Sequence, residues 1–439
     1  MKQTSKAEEI EKTIRLSGPL GKIRTFLKAL GPGLITAASG DDPSGIGTYS
    51  QTGAQFGYTQ LWTALFTFPF QAVTLEICAR IALQTGRGLA ANIRKYYPKP
   101  ILYFYVLLLF VANTITIGAD LGAMAASAQL LFGLPVLLWL AGLTILTAAL
   151  EILIPYKQYS KVLRILTLTL LSYVAGAFFV SQDWGQALRN TLVPTFHFDR
   201  KYLLNLVAIL GTTITPYLFF WQASEEVEEE IDEGKKTERQ RQGVSKTELK
   251  WMHADVTSGS FLSNLVFWFI VVTTASALNQ NGITNIDSAS KAAQVLRPLA
   301  GDFAYILFAV GIIGTGMLAV PVLAGSAAYA VAETFRFSEG LFLKLRQAPV
   351  FYGVIALATL IGAAINLIGI NPILALYYAA ILNGLVAPLL LLMIMLISNN
   401  RKIMQNEING RLANILGWIA TIAMGAAAAA LLVSLATGK

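Results

Sequence analysis

Residues 40–50 read GDDPSGIGTYS. Two carboxylates, Asp41 and Asp42, stand beside Pro43 and three glycines, Gly40, Gly45 and Gly47, between the apolar stretches 30–39 and 61–70. Proline lacks an amide donor and its ring clashes with the preceding turn, and glycine makes the backbone permissive. The pattern predicts a helix interrupted near its middle. Interrupted backbone at membrane depth is tolerated only where it faces protein or a water-filled cavity. A carboxylate there costs about 2.5–3.5 kcal/mol on insertion scales, so each aspartate needs a partner or a proton.

The rest of the chain supplies the membrane. Of 439 residues, 55% are hydrophobic and only 13% charged, and mean hydropathy is +0.58. A soluble domain carries about twice that charged fraction. Eleven spans are expected, at 27–57, 59–86, 101–132, 135–154, 161–181, 203–224, 254–279, 302–333, 350–368, 372–397 and 412–437. Residues 1–26 read as a charged cytosolic tail with no cleavable signal. With the N-terminus inside, all but six of the 33 Lys and Arg fall on the cytosolic side. The exceptions are Arg189, Arg200, Lys201, Lys291, Arg297 and Lys439. The positive-inside rule therefore predicts a multi-pass inner-membrane protein, N-terminus in and C-terminus out. This asymmetry accounts for the net charge of +8 and leaves no call for a nucleic-acid partner. The lipid bilayer is the expected environment, no cofactor is indicated, and a monomer is compatible with the pattern. Cys78 is the single cysteine, so no internal disulfide forms. His197 and His253 lie in or beside polar loops and make no zinc-type cluster. They also offer no nucleophile–base set at membrane depth, which argues against an enzyme.

A second interruption has the same character. LGTTITPYLFFWQ, residues 210–222, places Gly211, three threonines and Pro216 mid-span in span 6. Spans 1 and 6 open two five-helix units, 27–181 and 203–397, whose odd helix number forces opposite topology. Paired broken helices at matching places of an inverted repeat point to the central site of a transporter. Span 11, 412–437, then lies outside the repeats. The charged stretch 225–250 is acidic in its first half and basic in its second. It reads as a solvated cytosolic extension of span 6 held by charge pairs, with a gate or regulatory segment as the alternative.

The motifs carry a family resemblance. GPGLITAAS followed by DDPSGIGTYSQTGAQFGY resembles the span 1 signature of the Nramp divalent-metal transporters, GPG, then D-P-G-N, then a GA-x-FGY turn. GTTITPY is similar to that family's span 6 motif G-A-T-x-M-P-H, and TGRGLAANIRKYYPKP to its loop after span 2. The match runs from about Gly31 to Pro388. It implies an all-α, LeuT-like fold of five plus five inverted helices, with alternating access. In the family the ion is held by the Asp and Asn of D-P-G-N, the Met before the span 6 proline and a span 6 carbonyl. Here Asp42 keeps the Asp position, Gly45 replaces the Asn, Thr215 replaces the Met and Thr212 holds the carbonyl position. An assisting glutamine of span 10 falls on Ala379 or Ala380. Asp41 either touches the ion, caps the second half-helix or faces water.

These departures share a direction. A thioether favours transition metals, whereas carboxylate, hydroxyl, carbonyl and water favour magnesium, calcium and manganese. Magnesium sheds water reluctantly and is held through one or two carboxylates with several waters kept. The chain therefore looks like the divergent magnesium-transporting branch of the family, with Mg2+ and Mn2+ as expected substrates. The proton machinery of the relatives also looks stripped. Asp120 remains of an acid pair on span 3, but Ala123 takes the second place. Tyr217 replaces the histidine after the span 6 proline, and span 9 has no arginine. Uptake without proton coupling is the expectation. Proton-coupled manganese uptake and transport of an organic cation on the same fold are the alternatives. Glu76, Glu151 and Glu333, with Asp120, read as packing or inner-vestibule acids, and Asn113, Asn264, Asn366 and Asn383 as interhelical hydrogen bonders.

Overall fold

The computed structural model describes residues 30–437 apart from 155, 198, 287 and 288, with a few isolated positions before 30 and no side chains at 156, 157, 289–305 and 437. The expected tail, the first residues of span 1, and the side chains of Lys291, Arg297 and Lys439 lie outside this description.

The described chain is helical, with no strand. Ten helices or helix pairs are long and apolar enough to cross a bilayer: Trp62–Thr85, Lys99–Phe132, Val136–Leu153, Gln158–Ala177, Arg200–Asp232, Lys246–Asn281, Ile306–Phe335, Pro349–Ile368, Pro372–Ser398 and Arg411–Ala436. They are spans 2 to 11. Span 1 comes as two short helices, Pro32–Ser39 and Pro43–Phe56. Span 6 is likewise two helices, Arg200–Thr213 and Pro216–Asp232. Each second half begins on the proline that the sequence offered as the breaker. Its missing amide costs nothing at the first helical position, where the donor would be orphaned anyway. Span 5 also has a feature its sequence did not announce, a 3-10 turn at Thr167–Leu170.

Polar side chains and glycines join the spans. Asn113 of span 3 donates to the Leu323 carbonyl and the Ser326 hydroxyl of span 8 at 2.9 and 2.7 Å. Asn264 donates to Gln71 at 2.6 Å, Asn366 to the Gly118 carbonyl at 2.8 Å, and Asn383 to Thr116 at 3.1 Å. All four asparagines thus bond between helices, as intramembrane amides must where no water competes. Spans 3 and 9 meet backbone to backbone. A Cβ on Gly118 would lie 2.6 Å from the Gly362 carbonyl oxygen.

The charged stretch departs from expectation. Span 6 runs on to Asp232 and span 7 begins at Lys246, so much of 225–250 is helix. Glu225, Glu226, Glu228 and Glu230 are buried rather than solvated. Their partners are partly local and, for Glu228, from elsewhere in the fold. Gln222 donates to Glu226 at 2.8 Å, the Leu341 amide and the Tyr329 hydroxyl to Glu228, and Lys235 to Glu230 at 2.9 Å. Beside them a cavity of about 200 Å³ is lined by acids and bases together, among them Arg94, Arg241, Glu228 and Glu333. Glu339 lines it too, and burial with the nearby Glu333 charge pushes its carboxyl up to about 9.

One contact pins the first half of span 1. Asp255 of span 7 accepts from the amides of Gly31, Gly33 and Leu34 at 2.9, 2.7 and 3.2 Å. It caps a helix start that has no cap of its own. Asp255→Ala leaves three donors without this acceptor, a loss of about 1–2 kcal/mol. The first half-helix should then open more often. A cysteine placed at Ala37, with Cys78→Ser, should react about tenfold faster with a polar thiol reagent when Asp255→Ala is added. Equal rates would count against the pin.

Candidate functional site: the breaks in spans 1 and 6

Asp42 is the N-cap of the second half of span 1. Its Oδ1 accepts from the Gly45 amide at 2.6 Å and the Ser44 hydroxyl at 2.7 Å. Its Oδ2 faces span 6, where the Tyr217 hydroxyl lies 3.3 Å away. That hydroxyl also donates to the Ser39 carbonyl at 2.6 Å, tying the end of the first half of span 1 to span 6. One carboxylate oxygen therefore holds the backbone and the other looks into the break. Capping of this helix thus falls to Asp42, not to Asp41.

Asp120 of span 3 joins the group through Ser44, whose amide donates to Asp120 Oδ1 at 3.2 Å. Asp120 Oδ2 has no hydrogen-bond partner. Gly45 lets the Gly40 carbonyl, Thr212 and Asp42 crowd together at the break. A Cβ there would sit 3.1 Å from both the Gly40 carbonyl and Thr212 Oγ1, and 3.4 Å from Asp42 Oδ1. Thr212 and Thr215 are buried, and neither hydroxyl has a partner. Thr215 is the N-cap residue of the second half of span 6 yet makes no side-chain cap bond. Buried hydroxyls are normally satisfied, so two free ones at the break in span 6 mark polar capacity that the fold leaves for something else.

Asp41 takes part in none of these hydrogen bonds. Its side chain is fully buried, which removes the reading that it faces water, and neither oxygen has a hydrogen-bond partner. The Ser263 hydroxyl of span 7 is nearby but outside bonding geometry, and the Asp41 charge reaches Tyr49 and Tyr173. Tyr49 stacks on Phe267 at 4.0 Å and contacts Thr213 at 3.2 Å. Ala379 and Ala380 are buried in the packing of span 10. The Ala380 carbonyl lies 2.2 Å from where a Gly211 Cβ would be, so spans 6 and 10 touch backbone to backbone there. Among the described residues, no three His, Cys, Asp or Glu side chains converge in metal-holding geometry. An ion here would depend on one or two carboxylates with hydroxyls, carbonyls and water.

The structure therefore gathers Asp42, Gly45, Thr212, Tyr217 and Asp120 at the paired breaks, with Thr215 at the span 6 break and Asp41 buried beside them without a hydrogen bond. Ser44 was missed by the sequence reading, although a serine two residues after an aspartate is a known local hydrogen-bonding pattern. Gln71 was missed as well. Its Nε2 has no partner and lies 3.6 Å from a Cβ placed on Gly40. A glutamine in mid-span was the available signal. On the far side of span 1, a cavity of about 200 Å³ is lined by Gly47, Gln51, Lys201, Tyr377 and Tyr378 among others.

Known proteins share this fold. Residues 33–434 match the family described as natural resistance-associated macrophage protein-like, Nramp. The divalent metal cation transporter MntH of Yersinia pestis is 28% identical over 428 residues, covering 95% of this chain and 97% of its own. The MntH of Agrobacterium fabrum is 30% identical over 354 residues, covering 78% of this chain and 72% of its own. In three dimensions, the Eremococcus coleocola manganese transporter superposes with a TM-score of 0.76 at 18% identity, covering 94% of this chain and 87% of that one. The nucleobase-cation-symport-1 transporter MHP1 superposes at 0.58 with 13% identity, covering 92% and 93%. At these identities the superpositions speak to the fold.

Proposed function

The chain belongs to the Nramp family, and from that premise we propose that it carries divalent metal cations across the membrane by alternating access, with Mg2+ preferred and Mn2+ also accepted. It is a multi-pass membrane transporter and not an enzyme. In this reading the N-terminus is cytosolic, the C-terminus is extracytoplasmic and the ion moves into the cytosol. Asp42 is the charged ligand. Thr212 and Thr215 supply hydroxyl or carbonyl oxygen, the space at Gly45 holds retained water, and Tyr217 and Asp120 line the path. Asp41 is a ligand of the same ion only after it turns towards the break.

One observation supports this reading above the others. At the paired breaks the Asp42 carboxylate and the unpartnered Thr212 hydroxyl both lie beside Gly45, and the unpartnered Thr215 hydroxyl stands at the span 6 break. All of these are hard oxygen donors, which suits an ion that keeps part of its hydration shell. The second reading is proton-coupled Mn2+ uptake, which takes its ion, and not its coupling, from the manganese transporter among the structural neighbours.

Flux into proteoliposomes across Mg2+, Mn2+, Ca2+ and Cd2+ tests the choice. Mg2+ and Mn2+ should both enter, and Cd2+ should compete no better than Mn2+. The double change Gly45→Asn with Thr215→Met narrows the space and adds a soft donor. It should shift the Mn2+ to Mg2+ ratio by about tenfold or more, equivalent to ~1.4 kcal/mol. At the Cβ of the new Asn, 3.1 Å from the Gly40 carbonyl and Thr212 Oγ1, the neighbours must give by a few tenths of an ångström. Tight Cd2+ binding by the parent protein would contradict the hard-donor reading.

A further inference from the structure

Between spans 5 and 6 the chain makes a short helix outside the expected crossings, Trp184–Leu192. Asp183 caps its start, with Oδ1 accepting from the Gln186 amide at 2.9 Å. At 3.6 residues per turn the helix divides into three faces. One faces the protein. Ala187 is fully buried there, and the Thr191 hydroxyl accepts from the Trp268 indole of span 7 at 2.7 Å. The second is apolar and uncovered. Trp184, Leu188 and Leu192 recur every fourth residue and are 38%, 56% and 67% exposed. The third carries Gln186 and Arg189, both exposed. The Arg189 side chain has no hydrogen bond or ion pair among the described residues.

The neighbours say what covers the apolar row. Phe178, just past span 5, is 68% exposed, and its ring lies 5.8 Å from that of Trp184. The row therefore continues the lipid-facing surface of span 5. Trp184 also stacks on Trp268, with the rings nearly parallel and 6.2 Å apart. Tryptophans gather at the headgroup level of membrane proteins, where one end of the ring is apolar and the other wet. Past the helix the chain returns to the protein. The Phe196 ring lies 4.9 Å from that of Trp62, at the start of span 2. The Tyr202 hydroxyl donates to the Thr195 carbonyl and accepts from the Trp62 indole at 3.3 Å. Tyr202 belongs to the first half of span 6. The segment is thus clamped to span 7 at Thr191 and to span 6 at Thr195, with its apolar row left free. Arg189, Arg200 and Lys201, three of the six bases that fall outside the cytosolic count, stand on this helix and at the start of span 6, all exposed.

We propose that Trp184–Leu192 is an interfacial helix whose partner is the phospholipid leaflet on the side read above as extracytoplasmic. Trp184, Leu188 and Leu192 lie among the acyl chains, and Arg189 reaches the phosphate oxygens. A helix with one apolar stripe, a polar face and low net hydrophobicity lies in the interface and does not cross. Because the same segment holds Tyr202, the leaflet fixes the level of the first half of span 6, which ends at the break. The placement rests on membrane embedding alone, whereas its effect on uptake rests on the transport reading above.

The test uses full-length protein with Cys78→Ser in vesicles of phosphatidylethanolamine and phosphatidylglycerol, carrying one spin label at Leu188→Cys or Gln186→Cys. Collisions with oxygen, which concentrates in lipid, are compared with collisions with a nickel chelate, which stays in water. The label at 188 should favour oxygen severalfold more than the label at 186. Leu192→Cys gives the same readout if Leu188→Cys is not monodisperse. Two labels that both favour nickel would place the helix in water, and two that both favour oxygen would sink it into hydrocarbon. Either result overturns the proposal. The hold on span 6 is read from Mn2+ uptake. Leu188→Asp with Leu192→Asp should lower the maximal rate severalfold with KM unchanged, because the ion's ligands are untouched, while thermal unfolding in detergent stays at the parent value. An unchanged maximal rate would overturn that hold. A parent protein that carries no Mn2+ would overturn the transport reading, and the label depths would still decide where the helix lies.

Discussion

Asp42→Asn is expected to abolish divalent-ion uptake while leaving the fold intact. The amide keeps the shape of the carboxylate and can still accept from Gly45 and Ser44, so the cap on the second half of span 1 survives. What it loses is the charge on the oxygen that faces Tyr217 and span 6. Removing one partner of a buried charge pair costs about 3–5 kcal/mol, which is roughly two to three and a half orders of magnitude in ion affinity. Stability should hold or rise, because a buried carboxylate is itself unfavourable when no ion is bound. Flux at low Mg2+ should therefore fall below detection in proteoliposomes, while thermal unfolding stays within a few degrees of the parent. Parent-like flux in the asparagine protein would place the site elsewhere, with Asp120 and Asp41 as the acids to examine next.

The second large effect concerns the driving force. Each divalent ion carries two charges, and 100 mV is worth about 2.3 kcal/mol per charge, so roughly 4.6 kcal/mol per ion. That sustains an accumulation of over about a thousandfold without any coupled proton. A negative-inside potential set with potassium and valinomycin should accelerate Mg2+ uptake. A pH gradient alone should neither drive Mg2+ uphill nor acidify the vesicle interior in step with it. The structure gives this a physical basis. Tyr217, where relatives have histidine, spends its hydroxyl on the Ser39 carbonyl. Spans 3 and 9 meet at Gly118 and Gly362 so closely that a long basic side chain has no room between them. Asp120 bonds the Ser44 amide and has no basic relay beside it among its hydrogen bonds. Stoichiometric acidification accompanying Mg2+ entry would refute the uncoupled reading, and Asp120→Asn would then be the first variant to measure.

Much of the architecture was legible because the bilayer simplifies the code. A span needs about 20 apolar residues whatever it packs against, so hydropathy alone located the crossings. The two breaks were legible for a related reason. Pro43 and Pro216 remove donors wherever they stand, and beside glycine they interrupt a helix by local chemistry. Family motifs in the same two stretches then pointed to Asp42, Gly45, Thr212 and Thr215.

What lies off those local rules was not legible. The acids of 225–230 look solvated in sequence because charge predicts exposure, but Tyr329, Leu341 and Lys235 cover them from positions distant in the chain or across a turn. Asp41 and Asp42 are adjacent and chemically identical, and no pattern says which one turns to span 6. The tertiary structure decides it, since the Gly45 amide bonds Asp42, the Tyr217 hydroxyl of span 6 meets its other oxygen, and Asp41 makes no hydrogen bond. Glu151 and Trp221 are 70 positions apart by number and meet only because spans 4, 6 and 8 converge at Gly325. Sequence by itself determined where the chain crosses the membrane and where its helices break, because both follow from the transfer and hydrogen-bonding of the local backbone. Which buried oxygens face one another was left to the packing of distant helices, because a side chain's partners are set by contacts that the order of residues does not encode locally.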